Sequence, residues 1–323
     1  MPRPRPDSLE SRGHDNTISD GYNSNAKSSG RAQGDEARLA PSDGIGRPVH
    51  EPTPTRMTPE SDGATGRWLA GRHAVVTGAS RGIGAAIARA LAGRGARMTL
   101  MSRSAEALDR AAKGLRGEFG IDTGGVICDV TDGSSIGAAF ARTVTERGPV
   151  DVLVNNAGAA ESAPFSQTSR ELWDRMLAVN LSGTFACTRE VLPAMLARKA
   201  GRVVNVASTA GLRGYKTMTA YCAAKHGVLG FTRALAAETA RHGITVNAVC
   251  PGYTETDLAE TAIANLVALG KTPDEARAMI VRTVQRGSLI TPDEVAATVA
   301  WLCSPDASGV TGVALPIAGG AVP

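Results

Sequence analysis

The sequence predicts an α/β fold with a single doubly wound, seven-stranded parallel sheet. Seven short apolar runs, most of them rich in Val, alternate with longer stretches of helical pattern. Each run is continuously apolar, as expected for parallel strands that helices cover on both faces. A cluster of glycines also follows the first run, where the first helix begins. The strands are predicted at 73–77, 95–102, 126–128, 150–154, 202–207, 244–249 and 313–316.

The helices lie between these strands. Parallel neighbours cannot be joined by a tight turn, so each strand needs a crossover connection, and such crossovers are right-handed. In the third crossover, Thr131 or Asp132 is a candidate N-cap, because either side chain can accept a hydrogen bond from the first helical turn. The predicted helices run from the glycine cluster to Ala92 and over 105–119, 136–146, 170–198, 218–240, 255–285 and 292–303.

The first 66 residues differ in composition from the rest of the chain. They hold one aromatic residue, Tyr22, few other apolar side chains, and many Pro, Gly, Ser, Asp, Asn and Arg residues. Such a segment cannot bury enough apolar surface to offset the entropy lost on ordering, so residues 1–66 are predicted to be a disordered tail. The alternative is a wrongly assigned start codon, with Met57 as a later start. Residues 67–323 are predicted to form one domain.

The composition argues against several classes of protein. The net charge is +4 without any block of like charges, so no nucleic-acid partner is predicted. No apolar run approaches the roughly 18 residues of a membrane helix, and there is no apolar segment typical of a secretion signal. The five cysteines are odd in number and show no C-x-x-C pattern, which indicates buried free thiols in a reducing compartment. We therefore expect a cytoplasmic protein without a metal site.

Gly78, Gly82 and Gly84 stand where the first predicted strand turns into the first helix. Glycines at this position let the backbone approach a pyrophosphate, and the N-terminus of the helix favours its negative charge. A glycine cluster also makes ordinary turns, and the spacing here differs from G-x-G-x-x-G. Its place within a βαβ pattern favours a dinucleotide cofactor.

The end of the second strand indicates which dinucleotide is bound. An acid there would bind the ribose 2′-hydroxyl of NAD(H) and repel the 2′-phosphate of NADP(H). The chain has Ser102 at this place, followed by Arg103, with Arg81 in the glycine cluster. Two guanidinium groups can hold a phosphate through charge-assisted hydrogen bonds, so NADP(H) is predicted and NAD(H) is the alternative. Two solvated surface arginines are the simpler interpretation.

Tyr221 and Lys225 are four residues apart on a predicted helix, and therefore lie one turn apart on the same face. A cation at this distance is expected to stabilise the phenolate and lower the pKa of the tyrosine, which could then exchange a proton with an alcohol or carbonyl oxygen. Ser208, at the end of the fifth strand, could donate a hydrogen bond to the same oxygen. A buried tyrosine beside a snorkelling lysine is the alternative. Tyr215 is an internal comparison, because the residue four positions later is the uncharged Thr219.

Together these motifs resemble a classical short-chain dehydrogenase/reductase over residues 70–320. The resemblance implies a Rossmann domain in which Tyr221 is the general acid/base, while Lys225 lowers its pKa and binds the nicotinamide ribose. Ser208 would orient the substrate oxygen, and Asn180 would hold a water that completes a proton relay. The matching positions, in family order, are Thr77–Gly84, Asn155–Gly158, Asn180, Ser208, Tyr221 with Lys225, and Pro251–Gly252.

The same resemblance implies which residues contact the cofactor. Most of them follow the first four strands, where Asp129 could accept a hydrogen bond from the adenine amino group. A later group, after the sixth strand, would pass over the nicotinamide. The full set is Gly78, Ser80, Arg81, Gly82, Ile83, Gly84, Arg103, Asp129, Val130, Asn156, Ala157, Gly158, Pro251, Gly252, Thr254 and Thr256, with Tyr221 and Lys225.

The function implied is the NADPH-dependent reduction of a ketone or 3-oxoacyl substrate to a secondary alcohol. The chain is similar to bacterial 3-oxoacyl-thioester reductases and to 3-hydroxyacyl or 3-hydroxybutyrate dehydrogenases. Specificity is expected in residues 159–165, 209–216 and 253–287. The last segment, which we call the lid, is apolar and suits an acyl chain or a flat ring better than a sugar, although generic helix packing explains the same pattern. An NAD(H)-linked 3-hydroxyacyl-CoA or hydroxybutyrate-type alcohol dehydrogenase is the first alternative. A non-catalytic dinucleotide sensor is the second.

The resemblance also implies partners. The substrate would be a small carbonyl or alcohol compound, or an acyl thioester. Relatives that bind acyl carrier protein use basic residues where this chain has Arg198, Lys199, Arg241 and His242, although surface solubility explains these charges equally well. Relatives usually pair through their fourth and fifth helices, so a homodimer or homotetramer of closed symmetry is expected.

Overall fold

The computed structural model describes residues 66–322, which form a seven-stranded sheet with every strand parallel to its neighbours. The predicted α/β class is confirmed. The predicted tail, except Gly66, lies outside the described residues, as does Pro323. The strands are β1 (His73–Thr77), β2 (Arg97–Ser102), β3 (Thr123–Ile127), β4 (Val152–Asn155), β5 (Gly201–Val206), β6 (Ile244–Pro251) and β7 (Ala314–Ile317), in the order β3-β2-β1-β4-β5-β6-β7.

Helices cover both faces of this sheet. Within the described residues, none of them is both long and apolar enough to cross a membrane. They are α1 (Gly82–Gly93), α2 (Ala105–Phe119), α3 (Gly133–Arg147), α4 (Arg170–Leu177), α5 (Gly183–Arg198), α6 (Thr219–Thr239), α7 (Asp257–Ala268), α8 (Pro273–Val281) and α9 (Pro292–Leu302).

The buried side chains form a separate core on each face. Ala74 and Val76 of β1 point to one face and pack with buried side chains of α1, α2 and α9. Val75, between them, points to the other face and packs with side chains of α3, α5 and α6. This alternation explains why the strands are continuously apolar, since both faces of the sheet are removed from water.

The strand order reverses between β1 and β4. The chain moves from β1 outward to β2 and β3, then crosses back to β4 and continues outward in the opposite direction. The loops that follow β1 and β4 therefore diverge and leave a crevice at the carboxyl edge of the sheet. Ligands of open α/β sheets bind in such a crevice.

Strand β3 begins earlier than predicted, at Thr123 rather than at residue 126, and ends at Ile127. The added part contains Gly124 and Gly125, which are poor signals for a strand. A Cβ atom at Gly125 would lie 2.7 Å from Cβ of Leu108 in α2. Glycine is present because a helix packs directly on the strand backbone, a reason that the local sequence does not reveal.

The helix predicted over 170–198 is interrupted. Helix α4 ends at Leu177, residues 178–182 form a π-helical turn, and α5 begins at Gly183. π-Helical turns are frequent at functional sites. Asn180 lies in this turn, and its backbone carbonyl accepts a hydrogen bond from Oγ1 of Thr184 (2.9 Å).

The lid is two helices rather than one continuous segment. Helix α7 ends at Ala268 and α8 begins at Pro273. The break has a local cause: Thr272 and Glu275 form a capping box, in which each side chain accepts a hydrogen bond from the other residue's backbone N–H. Of the two predicted caps of α3, Asp132 is the one used, since its Oδ1 accepts from the N–H of Ser134 at 2.8 Å.

His73, at the start of β1, is fully buried. Its Nδ1 lies 2.9 Å from the carbonyl oxygen of Gly148 and therefore donates to it, so Nε2 accepts from Oγ1 of Thr99 at 3.0 Å. Burial lowers the pKa of His73, and the nearby charges of Arg97 and Arg147 act in the same direction. The folded protein therefore keeps this imidazole neutral.

The stability of the domain should fall as the pH drops below about 6.5. The unfolded histidine binds a proton near its ordinary pKa of about 6.5, while folded His73 binds it only at a lower pH, so acid favours unfolding by at most about 1.4 kcal/mol per pH unit. Urea unfolding between pH 5 and 7.5 measures this slope. The slope should be smaller in His73→Gln. His226→Gln is the control, because His226 is an exposed residue, and it should leave the slope unchanged. Equal slopes in all three proteins would contradict the assignment.

Candidate active site

The residues predicted for the site converge on the carboxyl edge of the sheet. Gly78 follows β1, Asn156 follows β4, Ser208 closely follows β5, and Gly252 follows β6. These four strands are consecutive neighbours in the sheet. Tyr221, from α6, completes the group because that helix packs beside β6.

The glycine loop leaves room for a ligand where side chains would block it. Gly78 and Gly82 have φ angles of 65° and 54°, a region that favours glycine. A Cβ atom at Gly84 would lie 2.2 Å from the carbonyl oxygen of Gly78. Arg81 precedes α1, and its side chain forms no cap hydrogen bond with the first helical turn. These features fit a dinucleotide pyrophosphate; Ser80 and Ile83 are half-buried in the same loop.

Asn156 ties the turn after β4 to the glycine loop. Its Nδ2 donates to the carbonyl oxygens of Thr77 (2.9 Å) and Gly78 (3.2 Å). In return, Oγ1 of Thr77 accepts from the backbone N–H groups of Asn156 and Ala157, both at 3.0 Å. The amide nitrogen of Asn156 is thus engaged in holding the loop. The position of Thr77 in the first motif was the only sequence signal for this contact.

Asn155, the preceding residue, faces the interior. Its Nδ2 donates to Oγ1 of Thr188 in α5 and to Oδ1 of Asn205 in β5, both at 2.9 Å. Asn205 in turn donates to Oγ1 of Thr232 in α6. This buried chain of polar groups joins the site to the two helices behind it; sequence reasoning missed Asn205, because one asparagine inside a strand carries no distinctive pattern.

The three residues predicted for the 2′-phosphate site differ in how free they are to bind a ligand. Ser102 ends β2, and its Oγ is buried without a hydrogen-bond partner among residues 66–322, as a group awaiting a ligand would be. Arg103 is exposed beside it. Arg81 is not free, because its Nη1 lies 3.0 Å from Oδ2 of Asp257 in the lid. Sequence reasoning did not find Asp257, which is distant in sequence and belongs to no motif.

Asp129 and Val130 follow β3. The backbone N–H and the hydroxyl of Thr131 donate to Oδ1 of Asp129 at 2.9 and 2.7 Å, and these hydrogen bonds lower the pKa of the carboxyl. Asp129 is therefore an ionised acceptor. The carbonyl oxygen of Val130 lies so near the start of α5 that a Cβ atom at Gly183 would approach it to 2.7 Å.

The predicted catalytic side chains lie together below this crevice. Tyr221 and Lys225 are 8% and 4% exposed, and Asn180 is 1% exposed. Nζ of Lys225 donates to the carbonyl oxygen of Val206 (2.9 Å) and lies 5.7 Å from the ring centroid of Tyr221. A Cβ atom at Gly158 would lie 2.8 Å from Oδ1 of Asn180 and 3.6 Å from Nζ of Lys225. Glycine is required where these two side chains meet.

The backbone orients Asn180 on both sides of its amide. Nδ2 donates to the carbonyl oxygens of Ala159 (2.8 Å) and Met176 (3.0 Å), and Oδ1 accepts from the N–H of Ala159 (3.3 Å). Ser208 is likewise held, because its Oγ accepts from the N–H of Ala210 at 3.1 Å. Tyr215 is only half-buried and donates its hydroxyl to Oγ1 of Thr209 (2.9 Å), so it differs from Tyr221 in its environment.

The pKa of Tyr221 is not lowered as expected. Burial raises it to about 12, and a hydrogen bond with Ser208 acts in the opposite direction. Lys225 does not offset this effect, because it donates to Val206 and its own pKa is lowered to about 8 by burial. Attraction between the two charges would lower the pKa of Tyr221, but removal from water has the larger effect on the pKa of two groups this deeply buried.

The segment after β6 closes the crevice on the opposite side. Pro251 ends the strand, and the N–H of Gly252 donates to the carbonyl oxygen of Ile317 (3.0 Å). The hydroxyl of Thr254 donates to the carbonyl oxygen of Gly252 (3.1 Å), and that of Thr256 donates to the carbonyl oxygen of Thr254 (3.3 Å). These bonds curl the chain back toward the glycine loop.

The model of one protein family matches residues 72–266, and its description is short chain dehydrogenase. The chain belongs to the short-chain dehydrogenase family. The protein is therefore an oxidoreductase, and the family predicted from the motifs is confirmed. The match spans the glycine loop, the start of the lid and the predicted catalytic residues Asn180, Ser208, Tyr221 and Lys225.

Two curated relatives and one solved structure of this family are similar over nearly their whole length. The protein named "Granaticin polyketide synthase putative ketoacyl reductase 1" from Streptomyces violaceoruber is 46% identical over 250 residues, 76% of this chain and 92% of its own. The 3-oxoacyl-(acyl-carrier-protein) reductase of Vibrio cholerae is 39% identical over 252 residues, covering 78% and 98%. The crystal structure of an actinorhodin polyketide ketoreductase variant with NADPH has a TM-score of 0.74 and 44% identity, covering 77% and 97%.

Gly84→Ala should damage both the fold and the dinucleotide site. The added methyl group would overlap the carbonyl oxygen of Gly78, and accommodating it should lower the free energy of unfolding by roughly 1–3 kcal/mol. Urea unfolding and dinucleotide titration measure the two effects. Gly117→Ala is the control. Gly117 lies on the exposed face of α2, where an added Cβ atom would have no atom from the rest of residues 66–322 within 4 Å apart from the backbone of its own helix. That change should stabilise the protein by about 0.5–1 kcal/mol. A stable, cofactor-binding Gly84→Ala protein would contradict the close packing.

Proposed function

We propose that this protein is an NADPH-dependent ketoreductase that reduces the ketone of a 3-oxoacyl-type substrate to a secondary alcohol. The observation that carries the proposal is the group formed by the buried Tyr221, Lys225 and Asn180 with the half-buried Ser208, at the carboxyl edge of the sheet that also holds the glycine loop. The names of the relatives, which are ketoacyl and 3-oxoacyl reductases, support the same reaction.

The residues that would hold the dinucleotide are those predicted from the family. The glycine loop and the N-terminus of α1 would bind the pyrophosphate, Arg81 and Arg103, with Ser102, would bind the 2′-phosphate, and Asp129 would bind the adenine. Lys225 would bind the nicotinamide ribose. When bound, NADPH supplies the hydride that is added to the carbonyl carbon, and the protein supplies a proton and the geometry.

The proton is assigned to Tyr221. As the carbonyl oxygen gains negative charge, the phenol transfers its proton to that oxygen, while Ser208 donates a hydrogen bond to it. A pKa of about 12 keeps the phenol protonated at neutral pH, which is the form that reduction needs. Lys225, with a pKa of about 8, is mostly protonated at neutral pH and can stabilise the phenolate that remains. Asn180 would hold the water that returns a proton.

An acyl thioester is proposed as substrate because of the apolar lid. Ile263 and Ile280 form the core of the lid, whereas Leu258, Leu269 and Met279 are exposed, as is Phe165 in the loop after β4. Exposed apolar side chains beside a crevice are typical of a ligand site. These exposed apolar side chains favour an acyl chain over a sugar.

One of the four residues considered for binding a carrier protein, Arg198, is not available for that contact. Arg198 donates to the carbonyl oxygen of Val150 (2.7 Å) and lies 3.7 Å from Asp151, so it is engaged within the fold. A contact with acyl carrier protein would therefore depend on the other three, the exposed Lys199 and Arg241 and the half-buried His242.

Assembly through α5 and α6 is also proposed, as a homodimer or homotetramer. Phe185 of α5 is half exposed and packs edge-on against Phe231 of α6, with ring centroids 6.3 Å apart. Arg189 lies over the same Phe185 ring at 5.8 Å. The exposed Phe185, next to the half-buried Phe231 of the adjacent helix, supports burial against a second copy. A cytoplasmic location is proposed because all five cysteines are free and buried.

Tyr221→Phe should lower kcat for ketone reduction by roughly 100- to 10,000-fold, because it removes the only proton donor proposed for the substrate oxygen. Its Kd for NADPH, measured by cofactor fluorescence, should stay close to that of the wild type. Tyr215→Phe is the matched control, since it removes a phenol whose hydroxyl is bonded to Thr209, and should leave most of the activity. Similar activity in the two variants would refute the role of Tyr221.

The preference for NADPH over NADH should depend on the end of β2. A hydrogen bond to a charged group is worth about 1.5–3 kcal/mol, so Arg103→Ala should lower kcat/KM for NADPH by roughly 10- to 100-fold and leave that for NADH nearly unchanged. Adding Ser102→Asp should erode the preference further through repulsion and a new partner for the ribose hydroxyl. The measurement is kcat/KM for both cofactors on one ketone. A wild-type preference for NADH would favour the alternative, an NAD(H)-linked alcohol dehydrogenase.

A further inference from the structure

An ion pair joins the two sides of the cofactor crevice. Nη1 of Arg81, in the glycine loop, lies 3.0 Å from Oδ2 of Asp257, in the first turn of α7. A second close approach lies next to this ion pair. A Cβ atom at Gly82 would lie 3.4 Å from Cγ2 of Thr256, the residue before Asp257. The start of the lid therefore touches the glycine loop beside the N-terminus of α1.

This pair conflicts with the role proposed for Arg81. The sequence offers Arg81 and Arg103 as the two cations for a 2′-phosphate, yet in this structure a carboxylate of the lid already pairs with Arg81. A phosphate and a carboxylate compete for the same planar donor group, because each forms charge-assisted hydrogen bonds with it. Within the described residues, Asp257 has no other cation at ion-pair distance, so it gains nothing elsewhere when Arg81 leaves.

We propose that Asp257 is a specificity-determining residue that weakens the preference for NADPH by competing with the 2′-phosphate for Arg81. The inference rests on the proposed binding of NADPH through Arg81. NADH carries no 2′-phosphate, so its affinity does not depend on whether Arg81 is free.

The size of the effect follows from the exposure of the pair. The side chains of Arg81 and Asp257 are 79% and 73% exposed, so water screens their attraction. Ion pairs this exposed are weak, and their loss corresponds to at most roughly a five-fold change in an equilibrium constant. Removing the carboxylate should therefore tighten NADPH binding by roughly two- to five-fold.

The experiment is a titration of NADPH and of NADH, followed by cofactor fluorescence, in the wild type and four variants, one of them the double variant Arg81→Ala/Asp257→Asn. Asp257→Asn should lower the Kd for NADPH by roughly two- to five-fold and leave the Kd for NADH unchanged. Glu260→Gln is the matched control: Glu260 lies in the same first turn of α7 but pairs with Arg277, so it tests the loss of one negative charge at this helix end. It should change neither Kd. In Arg81→Ala, adding Asp257→Asn should bring no tightening.

The outcomes separate this inference from the proposed function. If the wild type binds NADPH but Asp257→Asn leaves its Kd unchanged, or tightens it no more than Glu260→Gln does, the inference fails and the proposed function stands. If Asp257→Asn weakens NADPH and NADH equally, the ion pair clamps the cofactor and the inference is overturned. If the wild type binds neither dinucleotide, both proposals fail.

Discussion

The close packing of the β4 turn on the glycine loop is the contact on which the site depends. Asn156 reaches across from β4 and donates to two backbone carbonyls beside β1, while Thr77 accepts two N–H groups in return. Gly84 lies so near Gly78 that no side chain fits between them. Because the strand order reverses between these two strands, the loops meet only at their bases and leave an open crevice above them. The position of every other site residue is set relative to this junction.

Burial determines the chemistry of the group below the crevice. Removal from water makes Tyr221 about 3 kcal/mol harder to ionise than a tyrosine in solution, as its pKa of about 12 implies. The same burial makes the ammonium of Lys225 easier to deprotonate. Both shifts come from desolvation rather than from the attraction between the two side chains, and they leave the phenol protonated at neutral pH.

The site combines a rigid interior with a more exposed rim. Asn180, Gly158 and Lys225 meet with no space for an additional atom, and the Asn155–Asn205–Thr232 chain ties them to the helices behind. The rim is different: the lid has a small core of its own and contacts the glycine loop through an exposed ion pair. Surface ion pairs exchange partners at little cost. The buried groups are thus fixed by packing, while the exposed groups of the rim can adjust.

The sequence alone determined the fold class and the family, because these depend on local patterns. Apolar runs rich in Val define strands, glycines mark the turn after β1, and a four-residue spacing places Tyr221 and Lys225 on one helix face. Only the tertiary structure decided what depends on distant neighbours. Gly125 of β3 belongs to a strand because Leu108 packs on it, and Asn180 lies in a π-helical turn that no local signal marks. The pKa of Tyr221 rises because the domain buries it, and Arg81 pairs with Asp257 because the lid folds back to the first loop.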